Sequence, residues 1–474
     1  MRRSQHRRGA RVRLTRGAAL AGLTALLLTG CGGSSHPATT GGPTTSGGQG
    51  PGTTTTPAAG ASGAAAEASA SPVAAGSAGA QAETPTLSPA QARLKASLSR
   101  QFHRAGRDSG ALVYDLTAHQ PVFALREKVG RAPASVEKLY TTLALLRMLG
   151  PGARLHTTVL GSGHLGRHGV WHGNLYLRGG GDPTFGDGAF NHVWEEGYGP
   201  TATQLVAQLR GAGIRRVTGR LIGDASLLDS HRGGPSTNFA PDIPDFGGQL
   251  SALTYDHGAT LGTLSPGALA ARELALALRA GHVRVKAAHD TGVTPRRART
   301  LAVVSSPPMS VMLRLMDVRS DDLFAELFTE QLGSRFGTGG SIAEGARVVA
   351  SAITSYGVHP RIVDGSGLSR DDRSSPSQVV SLLRSAWGTP EGDVLWASLP
   401  IVGVNGTVQR IGVHTPARGN CIAKTGTLNG VTNLAGYCHR PGHHRMAFAL
   451  MIDGPSNTEA LELMNRMVAA IAKY

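Results

Sequence analysis

The chain holds six lysines against 41 arginines, so wherever a positive charge alone suffices it uses arginine. A retained lysine is therefore informative: a partly buried amine can give up its proton and act as a base, whereas a guanidinium cannot. Two of the six sit beside hydroxyls. Lys138 follows Ser135 by three positions at the head of APASVEKLYTTLALL (residues 132–146), and Lys424 opens Lys424-Thr425-Gly426. In the first stretch Leu139, Leu143 and Leu146 recur at helical spacing, with Pro133 just upstream as a start signal. A helix beginning near Ser135 sets Ser135 and Lys138 on one face, one turn apart. That pairing suits a serine nucleophile with an amine beside it to take its proton. Ser-x-x-Lys alone is a common chance match; Lys-Thr-Gly is rarer and lies inside a strand-like run. Between them, VRSDDLFAEL places Ser320, Asp321 and Asp322 on a loop that leads into a helix.

The elements that position these groups begin at Ser88-Pro89, a helix cap followed by proline, with Leu94, Leu98 and Phe102 on one face. ALVYDL (111–116) and PVFALR (121–126) form a hairpin, followed by the helix headed by Ser135. Residues 160–300 are glycine-rich, with strand-like NLYLRG, VTGRLIGD and HVRVKAA and one convincing helix near 267–279. They read as an inserted β-rich module. Helical patterning resumes from Leu301, and the chain closes with the strand MAFALMID and a helix capped by Ser456 and Glu459. Strands at both ends with helices between predict an α+β body with an antiparallel sheet flanked by helices, made of residues 89–159 and 301–474. Cys421 and Cys438 flank two strand-like runs with a turn near 428–430. Paired as a hairpin, the two cysteines face each other and a disulfide is expected; two buried free thiols are the alternative.

Residues 1–30 carry seven arginines, no acid and an apolar stretch from Ala18 to Leu28 that is too short to span a bilayer. This pattern predicts an export signal. It ends in Leu28-Thr29-Gly30-Cys31, which resembles a bacterial lipobox with Cys31 as the lipidated residue; an ordinary signal peptide followed by a chance cysteine is the alternative. Residues 31–88 are mainly Gly, Ala, Thr, Ser and Pro, a flexible tether. The expected location is the outer face of the cell membrane, through a lipid anchor. Of the net charge of +16, the signal accounts for +7 and the tether for −2, leaving about +11 on the body. That field suits an anionic polymer such as cell wall. Nucleic acid is excluded as a partner, since no basic stripe with interleaved aromatics is present. Gly161 to Gly166 fits G-x-G-x-x-G but no helix follows, and the 18 histidines show no metal-ligand spacing. Neither cofactor nor metal is called for.

Ser-x-x-Lys, then a Ser-x-Asn-like triplet, then Lys-Thr-Gly resembles the signature of serine β-lactamases and penicillin-binding proteins. The 185 positions from Ser135 to Ser320 exceed what a simple β-lactamase needs. They resemble the class C low-molecular-mass penicillin-binding proteins, the D-alanyl-D-alanine carboxypeptidase/endopeptidase family, which carry inserted domains there. YLRGGGDPTF (176–185), SPPMSVML (306–313), DGSGLSR (364–370) and LPIVGVNGTV (399–408) look like the same family. The resemblance implies a β-lactamase/transpeptidase-like fold and a hydrolase of peptidoglycan stem peptides, with β-lactams as acylating inhibitors. Ser135 would be the nucleophile, a neutral Lys138 the base and Ser320 the relay to the leaving amine. The N–H groups of Ser135 and Thr427 would form the oxyanion hole. Lys424, Thr425, Gly426 and Thr427 would bind the terminal carboxylate, Arg370 would shape that end of the site, and Asp224 would face the third stem residue.

Asp322 departs from the pattern. The family's asparagine donates a hydrogen bond that an ionised aspartate cannot, and a carboxylate near Lys138 opposes its role as a base. Slower acylation is expected, or a displaced pH optimum; alternatively Asp322 merely occupies a favourable first-turn position. Ser236-Thr237-Asn238 matches Ser-x-Asn but leads into no apolar helix. A catalytically impaired wall-binding or scaffold protein on the same fold is the competing reading, and no water-activating glutamate points to a β-lactamase.

Overall fold

The computed structural model describes residues 87–243, 247–258, 264–286 and 290–474. The export signal, Cys31 and the tether up to residue 86 lie outside the described residues.

Along the chain, helix α1 (Pro89–Arg104) leads into β1 (Gly110–Asp115) and β2 (Gln120–Leu125), then α2 (Lys138–Leu149). A second group follows: β3 (His156–Leu165), β4 (Val170–Arg178), α3 (Gly188–Trp194), α4 (Ala202–Gly211), β5 (Arg216–Val217), β6 (Leu221–Asp224), α5 (Pro266–Ala280), β7 (Asp290–Thr291) and β8 (Arg299–Ser305). Helices α6 (Met309–Arg319), α7 (Asp322–Phe336), α8 (Ile342–Ile353), α9 (Pro376–Ala386) and α10 (Pro390–Ser398) come next. Strands β9 (Cys421–Leu428), β10 (Val431–His439) and β11 (Arg445–Asp453) and helix α11 (Asn457–Lys473) close the chain.

The first and last strands make one five-stranded sheet in the order β2-β1-β11-β10-β9, every pair antiparallel. It is buried on both faces, so its strands read as apolar runs; every residue of β11 from Met446 to Ile452 is buried. On one face α1 presents Leu94, Leu98 and Phe102 to Met464, Val468 and Phe448. On the other, α2 and α6–α10 pack around Leu143, Met312, Phe328 and Leu383. Each fully buried Leu or Phe of this kind contributes roughly 1.5–3 kcal/mol of transfer free energy. The register sets Cys421 opposite Cys438, and the two are joined by a disulfide.

The second sheet, β7-β6-β4-β3-β8 with β5 beside β4, is mixed: β3 runs antiparallel to both neighbours, whereas β4, β5, β6 and β7 are parallel. Its own core gathers Trp171, Leu175, Leu205 and Leu274. Two helices here, α3 and α4, go beyond the single helix read from the sequence. The described part of HVRVKAA, residues 282–286, supplies no strand, only a bridge from Arg284 to Arg216. A small apolar joint of Leu228, Leu250 and Ala252 against Leu323, Leu327 and Ile342 fastens this layer to α7. Among the described residues no helix is long and apolar enough to cross a membrane.

Candidate active site

Ser135 sits in a 3-10 turn, Ala134–Glu137, and the regular helix begins only at Lys138. The turn is imposed from outside. Asn433 on β10 donates its Nδ2 protons to the carbonyls of Ala132 and Pro133, both at 2.9 Å, and Ala134 is held at φ 47°. Gly426 on β9 permits the close approach, since a Cβ there would lie 2.5 Å from the Pro133 carbonyl oxygen and 3.0 Å from the Val136 nitrogen. Lys-Thr-Gly is thus a packing requirement of the serine turn as well as a source of functional groups.

The Ser320 segment joins α6 to α7. Ser320 takes a left-handed φ of 62° at the end of α6, and the Asp321 carboxylate caps α7 by accepting the Phe324 N–H at 2.9 Å. Asp322, relieved of capping, turns inward to Lys138.

Lys138 is fully buried, and its Nζ has three oxygens around it: Asp322 Oδ1 at 2.5 Å, the Ser366 carbonyl at 2.8 Å and Ser135 Oγ at 3.2 Å. An ammonium has three protons to donate, so the cage matches the charged form, paired with Asp322. This ion pair follows from a carboxylate standing where the resemblance implies an amide. Burial pushes the Asp322 carboxyl up, against the attraction of Lys138.

Lys424 is equally buried. Its Nζ donates to Ser320 Oγ at 2.7 Å and to the Thr425 carbonyl at 3.1 Å. Burial, aided by the nearby Lys138 charge, pushes it down to about 7. Behind it, Asp317 accepts from Ser398 Oγ at 2.7 Å and Thr142 Oγ1 at 3.2 Å, and burial pushes it up to about 6.

The Ser366 carbonyl that holds Lys138 belongs to a loop anchored by a buried acid: Glu326 accepts the N–H groups of Gly365 at 3.2 Å and Ser366 at 2.9 Å. Burial pushes Glu326 up to about 8. Glu137, fully buried with neither carboxylate oxygen hydrogen-bonded, is pushed well above the usual carboxylate range, first by burial and then by Asp364. A cleft of about 410 Å³ opens in front of these groups, lined among others by Ser135, Ser320, Asp322, Thr407, Thr425 and Thr427. Thr425 Oγ1 donates to Thr407 Oγ1 at 2.8 Å.

The sequence-predicted residues thus converge, with two exceptions. Arg370 points past the β9–β10 turn, donating to the Asn429 carbonyl at 2.6 Å and lining a different cavity. Asp224 ends β6 in the second sheet, buried, its two oxygens taken by the N–H groups of Ser226 and Thr294 at 3.0 and 2.8 Å. Its carboxylate is spent on its own loops, so it lines no part of the cleft. Conversely, Thr407, Asn433, Glu326 and Ser366 were not singled out. Asn433 was within reach, because the register that faces Cys421 with Cys438 also faces Gly426 with Asn433. Among the described residues no group of three or more His, Cys, Asp or Glu could hold a metal ion.

Comparison with known proteins agrees with this geometry. The profile of the D-Ala-D-Ala carboxypeptidase 3 (S13) family matches residues 91–269 and 260–474. A D-alanyl-D-alanine carboxypeptidase of an Actinomadura species is 26% identical over 454 residues, covering 78% of this chain and 82% of the relative. Carboxypeptidase DacB of Mycolicibacterium smegmatis is 30% identical over 380 residues, covering 75% and 77%. Among solved structures, penicillin binding protein 4 of Haemophilus influenzae superposes with a TM-score of 0.67 at 20% identity, covering 80% of this chain and 99% of that one. It shares the mixed α+β fold. The chain belongs to the D-Ala-D-Ala carboxypeptidase 3 (S13) family.

Proposed function

We propose that the protein is a serine-type D-Ala-D-Ala carboxypeptidase/endopeptidase that cleaves peptidoglycan stem peptides through an ester on Ser135, and that β-lactams acylate the same oxygen. The observation that carries this reading is the convergence of two serine–lysine pairs, Ser135–Lys138 at 3.2 Å and Ser320–Lys424 at 2.7 Å, on one cleft. Family membership and the named carboxypeptidase relatives support it, as does a β-lactam complex of the Haemophilus protein.

Ser135 Oγ attacks the carbonyl carbon of the penultimate D-Ala, and its proton passes to Lys138 in the fraction of molecules whose amine is free. The N–H groups of Ser135 and Thr427 take the oxyanion. As the C–N bond breaks, Ser320 passes a proton to the leaving amine and is resupplied by Lys424. That amine belongs to terminal D-Ala or to a cross-link. Water then hydrolyses the ester. Lys424 in its charged form, Thr425 and Thr427 hold the substrate carboxylate. Asp322 slows the first step, because its ion pair keeps on Lys138 the proton that must leave before the amine can act.

Residues 89–159 and 301–474 form the catalytic body and 160–300 its insertion. An export signal (1–30), a lipid on Cys31 and the tether (31–88) would hold that body at the outer face of the membrane.

Fluorescent penicillin tests the reading. The full chain should become covalently labelled and Ser135→Ala should not; absence of label from pH 5 to 9 would favour the non-catalytic scaffold.

A further inference from the structure

Helix α1, PAQARLKASLSRQFHR, contains no acidic residue, and its Arg93, Lys95, Arg100 and Arg104 are all exposed. Beside it runs a groove of about 550 Å³ between α1 and the edge strand β2, lined by Lys95, His103, Arg107 and Arg126 among others and, among the described residues, by no carboxylate. Arg107 and Arg126 also line the next cavity, of about 600 Å³, which continues past Arg131, Arg370 and Arg373 to Asn429–Val431 at the β9–β10 turn. The two cavities make one trench. Six lysine and arginine side chains line it against two carboxylates, Asp108 and Asp453. None of these eight takes part in an ion pair within 4.0 Å among the described residues. Protein surfaces usually intersperse charges of both signs; here Asp453 feels the charges of Arg131, Arg370 and Arg373, yet six cations against two carboxylates leave a cationic excess that suits an external anion.

Three of the guanidinium groups are also fixed in place. Arg126 donates to the carbonyls of Ser109 at 2.6 Å and Gly106 at 3.2 Å, Arg131 to those of Asp108 at 2.5 Å and Val129 at 2.6 Å, and Arg370 to that of Asn429. Fixed forks lose less entropy on meeting a phosphate than free side chains would. The far end of the trench is the hairpin whose arms carry Thr427 and Thr432 into the catalytic cleft. A polymer lying in the trench thereby reaches the hairpin that borders the catalytic cleft.

We infer that this trench is a binding site for a phosphodiester polyanion of the cell wall, separate from the stem-peptide cleft and serving to raise the local concentration of substrate. The recessed shape favours a strand-like polymer over a flat bilayer. Rows of like phosphates along such a strand match cations spread over two joined cavities.

The inference is tested by binding rather than turnover, so it stands or falls separately from the peptidase reading. With the full chain carrying Ser135→Ala, binding to poly(glycerol phosphate) is measured at 50 and 300 mM NaCl, beside phosphatidylglycerol/phosphatidylcholine vesicles. Affinity for the polymer should fall at least tenfold with the added salt, as screening removes attraction between exposed charges. Lys95→Glu/Arg107→Glu should lose it at least tenfold at low salt, and charge-conserving Lys95→Arg/Arg107→Lys should keep it. Neither Lys95 nor Arg107 is buried, so the fold is not at stake. Undiminished polymer binding by the glutamate variant would overturn the inference, as would tighter binding to the vesicles than to the polymer.

Discussion

Asp322 is the residue on which the chemistry turns. The two positions that follow Ser320 divide the work: Asp321 caps α7 and Asp322 pairs with Lys138 at 2.5 Å. A first-turn acid with no further role would face solvent, whereas the Asp322 side chain is only 14% exposed. Asp322→Asn restores an amide donor and removes the charge that keeps the proton on Lys138. Penicillin labelling at pH 7 should then quicken by roughly tenfold, as expected when a neighbouring opposite charge is removed from the base. A slower variant in stopped-flow acylation would show that the carboxylate assists the reaction. The identity of this position was plain in the sequence; its partner was not, because 184 residues separate Asp322 from Lys138.

At the scale of elements, the serine turn, the β9–β10 hairpin and the start of α7 form one assembly. Gly426 lies against the turn, Asn433 ties down the two carbonyls before it, and Leu228, Leu250 and Ala252 steady α7 through Leu323 and Leu327. Gln331 of α7 also donates to the Gly180 carbonyl at 2.6 Å, and a Cβ at Gly181 would strike that amide. Gly426→Ala should therefore separate the strand from the turn, costing about 1–3 kcal/mol by overpacking. It should lower the labelling rate by more than its loss of stability explains; an unchanged rate would mean that the strand need not touch the turn. Helix α2, the hairpin and α11 were legible because each repeats apolar residues at one period beside a turn or cap signal. Helix α3 was not, since it buries only Asn191 and so has no apolar stripe. HVRVKAA alternates like a strand, but its described residues 282–286 meet no more than a single bridge partner, and pairing depends on neighbours far along the chain.

For the molecule as a whole, the buried acids behind the site link stability to pH. Glu137, Glu326, Asp364 and Asp372 come from three separate segments, so their gathering into one buried cluster is not readable from any single motif. Burial raises the pKa of each, to about 8 for Glu326. A carboxyl whose folded pKa exceeds its unfolded one stabilises fully below the unfolded value, and that stability drains away as pH rises through the folded one. For Glu326 the window runs from about 4.5 to about 8. The melting temperature should accordingly fall between pH 5 and pH 8, and Glu326→Gln should flatten that slope. An equally steep slope in the variant would mean that Glu326 is already ionised in the fold. The same variant weakens the support of the Ser366 carbonyl, so the stability experiment reads the acid cluster without relying on turnover.

The labelling effects presuppose a covalent ester on one oxygen. Penicillin G incubated with the full chain, followed by proteolysis and mass mapping, examines that point without a substrate peptide. A penicilloyl mass increment should appear on the peptide that contains Ser135 and on no other, and disappear in Ser135→Ala. An increment on a different residue, or none at all with the fold intact, would contradict the assignment of Ser135 as the nucleophile.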